Sequence, residues 1–180
     1  CYFFTATPKH SRTIKRIGMN NPQVYGNVIC QVPAPKLVDD GFILPPKVKL
    51  KQFDIIEDRQ QIPERDSEHL IATIDDNDIN KSLICARSTK QIVRLFSDSR
   101  FATDLWDRGY SWMYITAKTG AVIDGRKVDR ETFFNTLNEW GKTDKKFVVV
   151  HHSILSEGIN VKGLEAVLFM RNMDYITISQ

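Results

Sequence analysis

Residues 147–150 read Phe-Val-Val-Val, four apolar positions in succession, three of them β-branched. A strand with one wet face alternates apolar and polar side chains, so an unbroken run of this kind has to be covered on both faces. A parallel sheet meets that requirement, because each crossover between parallel strands supplies a covering helix. Residues 83–86, 113–116 and 167–170 are apolar runs of the same sort. Between the first two lies a helical stretch in which Ser88 and Gln91 have capping-box spacing and Ile92, Val93 and Phe96 form the inner face; Phe101, Leu105 and Trp106 continue such a face. A second helix is expected over about 130–140, with Asp129 as its cap and Phe133, Phe134, Leu137 and Trp140 toward the core. The expected fold is α/β, a mainly parallel sheet flanked by helices.

Ligands of such sheets collect beyond the carboxyl ends of the strands. Arg87-Ser88 follows the first run, Lys118-Thr119 the second, and His151-His152-Ser153 the third. One edge of the sheet should therefore gather hydroxyls, amides and cations, which suit phosphates and contact a backbone without reading bases. Lys118-Thr119 is expected to lead into a polar loop containing Asp124-Gly125. His151 and His152 are neighbours at a strand end and point to opposite sides, Cys85 is distant in sequence, and no further ligands are spaced nearby. No metal site is expected, and aromatics at helical spacing are assigned to the core.

The 180 residues suffice for one well-buried domain. Twenty-five basic against 22 acidic residues give a net charge of +3, too small to argue for nucleic acid. Cys1, Cys30 and Cys85 form no CxxC pair, which fits reduced thiols in an intracellular, cytoplasmic protein. No apolar run is long enough to cross a bilayer, so a soluble protein without membrane contact is expected. The chain opens at Cys1 without Met and stops at Gln180 inside a helix-like stretch, as a piece of a longer protein would.

Ahead of the sheet, a short helix is expected over 11–18, a strand over 28–32, a helix over 34–40 and a half-exposed strand over 47–55. Lys47, Lys49 and Lys51 would form the solvated face of that strand. The charged stretch 57–68, with Pro63, reads as a loop or linker, and the pattern from Ser67 through Leu70, Ile71 and Ile74 as a helix.

Several segments together resemble superfamily 2 helicases and translocases, in particular the branch of phage helicases and restriction-enzyme motor subunits. ILSEGINVKGLEAVLF resembles motif V, CYFFTATP resembles motif III, and strand 83–86 with its capped helix is similar to motif IV. YGNVICQVPAPKLVDDGFILPPKVKLKQFDI resembles the connection between the two motor lobes, and Gln180 the first residue of the Gln-x-x-Gly-Arg motif VI. The resemblance implies a RecA-like second lobe over 67–180, an inter-lobe connection over 11–66 and the tail of a first lobe over 1–10. It implies coupling through Thr5, Ala6 and Thr7, nucleotide contacts from Glu157, Gly158, Asn160 and Gln180, and nucleic-acid contacts from Arg87, Ser88, Lys118, Thr119, His152 and Ser153. ATP and Mg2+ would be bound mainly by a first lobe lying outside this chain, and nucleic acid, DNA ahead of RNA, would be the partner. A phage or virus source is compatible with it. His152 and Asn160 stand where many relatives have Thr and Asp, and no Walker A sequence and no Asp-Glu-x-His/Asp motif occurs in the chain. This stretch alone should hydrolyse no ATP. A catalytically inactive RecA-like scaffold is the alternative expectation.

Overall fold

The computed structural model describes residues 2–3, 18–45, 47–52, 56–153 and 161–171. The chain divides into two units between Ile55 and Ile56. In the first, α1 (Pro22–Tyr25) is capped by the Asn21 side chain, which accepts a 3.0 Å hydrogen bond from the Gln23 amide, and α2 (Ala34–Asp39) follows; neither buries a residue. The strand expected over 28–32 does not form, and Val28 and Ile29 are almost fully exposed. Residues 47–52 form no strand either. Apolar, β-branched composition produces a strand only where a neighbour completes the ladder, and neither stretch has such a neighbour among the described residues of this unit. The helix expected over 11–18 lies, apart from Gly18, outside the described residues.

The second unit is the expected α/β domain: a six-stranded sheet with helices on both faces, its strands lying in the order β4 (Arg126–Val128), β3 (Gly120–Ile123), β2 (Ser111–Thr116), β5 (Phe147–His151), β1 (Lys81–Cys85) and β6 (Ala166–Phe169). Strands β1 (Lys81–Cys85), β2 (Ser111–Thr116), β5 (Phe147–His151) and β6 (Ala166–Phe169) are mutually parallel. β5 lies at the centre with every residue buried, as its unbroken apolar sequence requires. Strand β6 alternates instead: Ala166, Leu168 and Met170 pack on the core, while Val167 and Phe169 are exposed on the other face.

Against one face, α3 (Ile62–Asp76), α4 (Thr89–Ser97) and α5 (Phe101–Asp107) bury Leu70, Ile71, Ile74, Ile92, Leu95, Phe101 and Leu105 against Ile84, Val148 and Val150. Helix α6 (Arg130–Gly141) lays Phe133 and Leu137 against Met113, Ile115, Phe147 and Val149 on the opposite face. Four local expectations change. Helix α3 begins at Ile62, inside the stretch read as a loop, because Pro63 occupies the first turn, where a missing N–H costs nothing. In α4 the residues fully buried are Ile92 and Leu95, with Val93 and Phe96 only partly so. Trp106 is exposed. The polar loop after Lys118-Thr119 is a meander of β3 (Gly120–Ile123) and β4 (Arg126–Val128), antiparallel to β2 and to each other.

Among the described residues no helix is long and apolar enough to cross a membrane.

Candidate nucleic-acid interface

β1 runs out through Ala86, whose amide extends the ladder by donating to the His151 carbonyl at 2.7 Å. The chain then turns at Arg87 and enters α4. Ser88 is extended (φ −159°, ψ 160°) and its hydroxyl accepts from the Gln91 amide at 3.1 Å, so it is the N-cap that the spacing predicts. The reciprocal bond is displaced by one residue: the Gln91 side-chain oxygen accepts from the Arg87 amide at 2.8 Å rather than from that of Ser88. The side-chain nitrogen of Gln91 donates to the buried Asp66 of α3 at 2.8 Å, and Asp66 is also held by Arg65 at 2.7 Å. The backbone that presents Arg87 is thus fixed from two helices, while the Arg87 side chain stays exposed.

Lys118 and Thr119 lie in the turn that joins β2 to β3, where Thr116 pairs with Gly120. Thr119 turns inward: its amide donates to the Thr116 hydroxyl at 2.9 Å and the two hydroxyls are 2.6 Å apart. Lys118 is exposed. At the end of β5, His152 is half-buried and Ser153 exposed.

Strand order brings these three positions together. From β1 the chain passes to β2 and from β5 to β6, so connections leave the adjacent strands β1 and β5 in opposite directions. Ligands of open α/β sheets settle in that crevice. Arg87-Ser88 and His152-Ser153 flank it, with Lys118 one strand further at β2. At the ~4.8 Å spacing of neighbouring strands the row spans about 10 Å. Thr5, Ala6, Thr7, Glu157, Gly158, Asn160 and Gln180 lie outside the described residues.

Beneath this row is a pair that the sequence reading kept apart. Cys85 and His151 are register partners on β1 and β5, and Sγ and Nε2 are 3.1 Å apart. Burial pushes the Cys85 thiol up to about 11, against the opposing pull of the Arg171 guanidinium. Burial also pushes His151 down to about 4, helped by Arg171 and His152. Both groups are therefore neutral near pH 7, so the pair is a packed hydrogen-bonding unit and not a thiolate nucleophile. Among the described residues no group of three or more His, Cys, Asp or Glu is placed to hold a metal ion.

Arg171, two residues past the end of β6, adds a cation at the carboxyl end of a fourth parallel strand. Sequence reasoning missed it, although the strand-end rule that selected Arg87 and Lys118 would have selected it too.

Set against models of known protein families, curated proteins and solved structures, the chain matches none. What the edge can do follows from its own chemistry. It offers exposed cations and hydroxyls on a rigid sheet, which favours anions through charge and geometry.

Proposed function

We propose that this chain supplies, over residues 67–180, the second RecA-like lobe of an intracellular ATP-dependent helicase or translocase, and that the carboxyl edge of its sheet holds the nucleic-acid backbone. The supporting observation is the convergence of Arg87-Ser88, His152-Ser153 and Lys118 on the neighbouring strands β1, β5 and β2, at the connections that resemble motor motifs. Lys118 contributes its charge. Thr119 holds the shape of the turn, since its hydroxyl is engaged by Thr116. His152 contacts a phosphate by donating from a ring nitrogen. ATP and Mg2+ are held mainly by a first lobe, and this chain approaches the nucleotide through Glu157, Gly158, Asn160 and Gln180. Nucleic acid is the proposed partner, with DNA put ahead of RNA.

Binding of a labelled single strand, followed by fluorescence anisotropy against salt, tests the proposal. Arg87→Ala with Lys118→Ala should weaken binding several-fold for every sequence alike and make the salt slope shallower by about 0.7 per lost phosphate contact. Unchanged affinity in the double variant would overturn the assignment of the edge. A base-sequence preference that survives the two substitutions would favour a different class of binder.

A further inference from the structure

A cavity of about 410 Å3 opens beside the carboxyl end of β1, between the first turns of α3 and α4. Four cationic residues line it: Arg59 just before α3, Arg87 at the strand end, and Lys90 and Arg94 on α4. Arg94 is committed, donating to Asp98 at 2.9 Å and to the Arg59 carbonyl at 3.0 Å. Among the described residues, the side chains of Arg59, Arg87 and Lys90 have no carboxylate within ion-pair distance. The acidic residue in the wall, Asp66, is already neutralised by Arg65 and hydrogen-bonded by Gln91. The cavity walls therefore carry an excess of positive charge. Three cations converging on one space repel one another, and an anion seated there turns that repulsion into attraction. The α4 start adds its positive dipole end to the same space.

Resting on the nucleic-acid reading above, we infer that this cavity takes a phosphodiester of the bound strand, so that the backbone path leaves the sheet edge at Arg87 and continues between α3 and α4. Arg87 belongs to both surfaces and joins them. A backbone phosphate suits the cavity better than a whole nucleotide. The rest of the lining is Ile62, Pro63, Ser88, Gln91 and Leu95, with no aromatic ring on which a base could stack. Such a site binds charge without reading sequence.

The experiment uses this chain, a fluorescein-labelled oligo(dT) 20-mer and a labelled adenine nucleotide as separate probes. Arg59 and Lys90 are exposed, so Arg59→Ala with Lys90→Ala should unfold at the parental temperature. The expected result is at least about a fivefold loss of oligonucleotide affinity at low salt and a salt slope shallower by about 0.7, the share of the one phosphate seated in the cavity. Parental affinity and slope in this variant, alongside a loss in Arg87→Ala/Lys118→Ala, would overturn the cavity site and leave the edge standing. Silence of both pairs would remove the nucleic-acid reading and the cavity site together. Loss of nucleotide binding with oligonucleotide binding intact would also overturn the inference, by assigning the cavity to the nucleotide.

Discussion

The Cys85 thiol and the His151 imidazole meet at 3.1 Å across β1 and β5, and each is held neutral by its surroundings. The native state thus refuses a proton on His151 that the unfolded chain accepts. Its folded pKa of about 4 lies below the ordinary 6.5, so its contribution is complete above pH 6.5 and is lost as pH falls toward 4. The loss is at most on the order of 3 kcal/mol, at 1.36 kcal/mol per unit. Cys85 acts at the other end: its raised pKa makes stability fall as pH climbs from 9.0 toward about 11. Urea midpoints of the parent should drop from pH 7 to pH 4.5, and His151→Gln should flatten that drop whatever it does to the level at pH 7. An equally steep acid limb in His151→Gln would assign it to other groups.

The same burial predicts a difference in reactivity between two thiols. Cys30 is exposed and Cys85 buried with a raised pKa. At pH 8, iodoacetamide should modify Cys30 within minutes and leave Cys85 untouched until urea is added, as read by peptide mass mapping. Modification of Cys85 at a comparable rate in the native chain would contradict the closed pairing with His151.

Gln91 ties together Arg87, Ser88 and Asp66 through its side chain and amide. Gln91→Ala leaves the exposed Arg87 amide to water but removes one donor from the buried Asp66 carboxylate, a cost of about 1–3 kcal/mol. Gln91→Glu keeps the bond from Arg87 but sets a second carboxylate against Asp66. It should destabilise more at pH 7 than at pH 4.5, where one of the two carboxylates can take a proton. Chemical denaturation at the two pH values separates these outcomes, and a pH-independent penalty would show that Arg65 alone neutralises Asp66.

How much of this was legible along the chain depended on whether neighbours in sequence or neighbours in space carried the signal. The parallel strands were legible because residues such as Val148 and Val149 permit no wet face, and the caps Ser88 and Asp129 because a cap acts within three residues. The β3–β4 turn was also within reach: Asp124 and Gly125 both have positive φ, at 44° and 81°, and Asp-Gly between apolar stretches is a strong hairpin signal. The start of α3, ahead of Ser67, was hidden by Pro63 and its charged neighbours, which are covered by packing on α4 and α5. The union of Cys85 with His151 was out of reach, since it needs the order β2-β5-β1-β6, and nothing local to either residue encodes that order. Arg59 joined the basic cavity for the same reason.

The nucleotide half of the proposal turns on Asn160. On the proposed reading, Asn160 stands where relatives carry Asp and would offer the nucleotide ribose an amide oxygen in place of a carboxylate; charged acceptors contribute roughly 1.5–3 kcal/mol against 0.5–1.5 for neutral ones. In a protein carrying both lobes, Asn160→Asp should lower the Michaelis constant for ATP about fivefold and Asn160→Ala should raise it, with nucleotide-free oligonucleotide affinity unchanged. Parental nucleotide dependence in both variants would remove Asn160 from the nucleotide site, and with it the nucleotide-contact role of this segment.

Gly141, the last residue of α6, supplies a test in which propensity and packing predict opposite signs. Its backbone does not need glycine's conformational freedom, and Ala is favoured over Gly in helices by about 1 kcal/mol. A Cβ on Gly141, however, would sit 2.7 Å from the Lys162 carbonyl oxygen, a backbone atom that no side-chain rotation can clear. Nor can the 161–164 turn easily retreat. Gly163 there has φ +71°, and its own Cβ position is only 3.0 Å from both the Gly141 oxygen and the Lys81 Nζ. Lys81, buried at the start of β1, binds the end of α6 by donating to the Gly141 carbonyl at 3.3 Å and the Thr143 carbonyl at 2.5 Å. Shifting the turn disturbs that cap as well. Gly141→Ala should therefore destabilise by about 1–3 kcal/mol, the usual cost of overpacking, while Asn138→Ala on the exposed side of the same helix should be neutral or slightly stabilising. Thermal unfolding of the two variants decides between the terms: a rise in melting temperature for Gly141→Ala would mean that the 161–164 turn yields freely, and that the approach of α6 to Lys162 does not constrain how the chain enters β6.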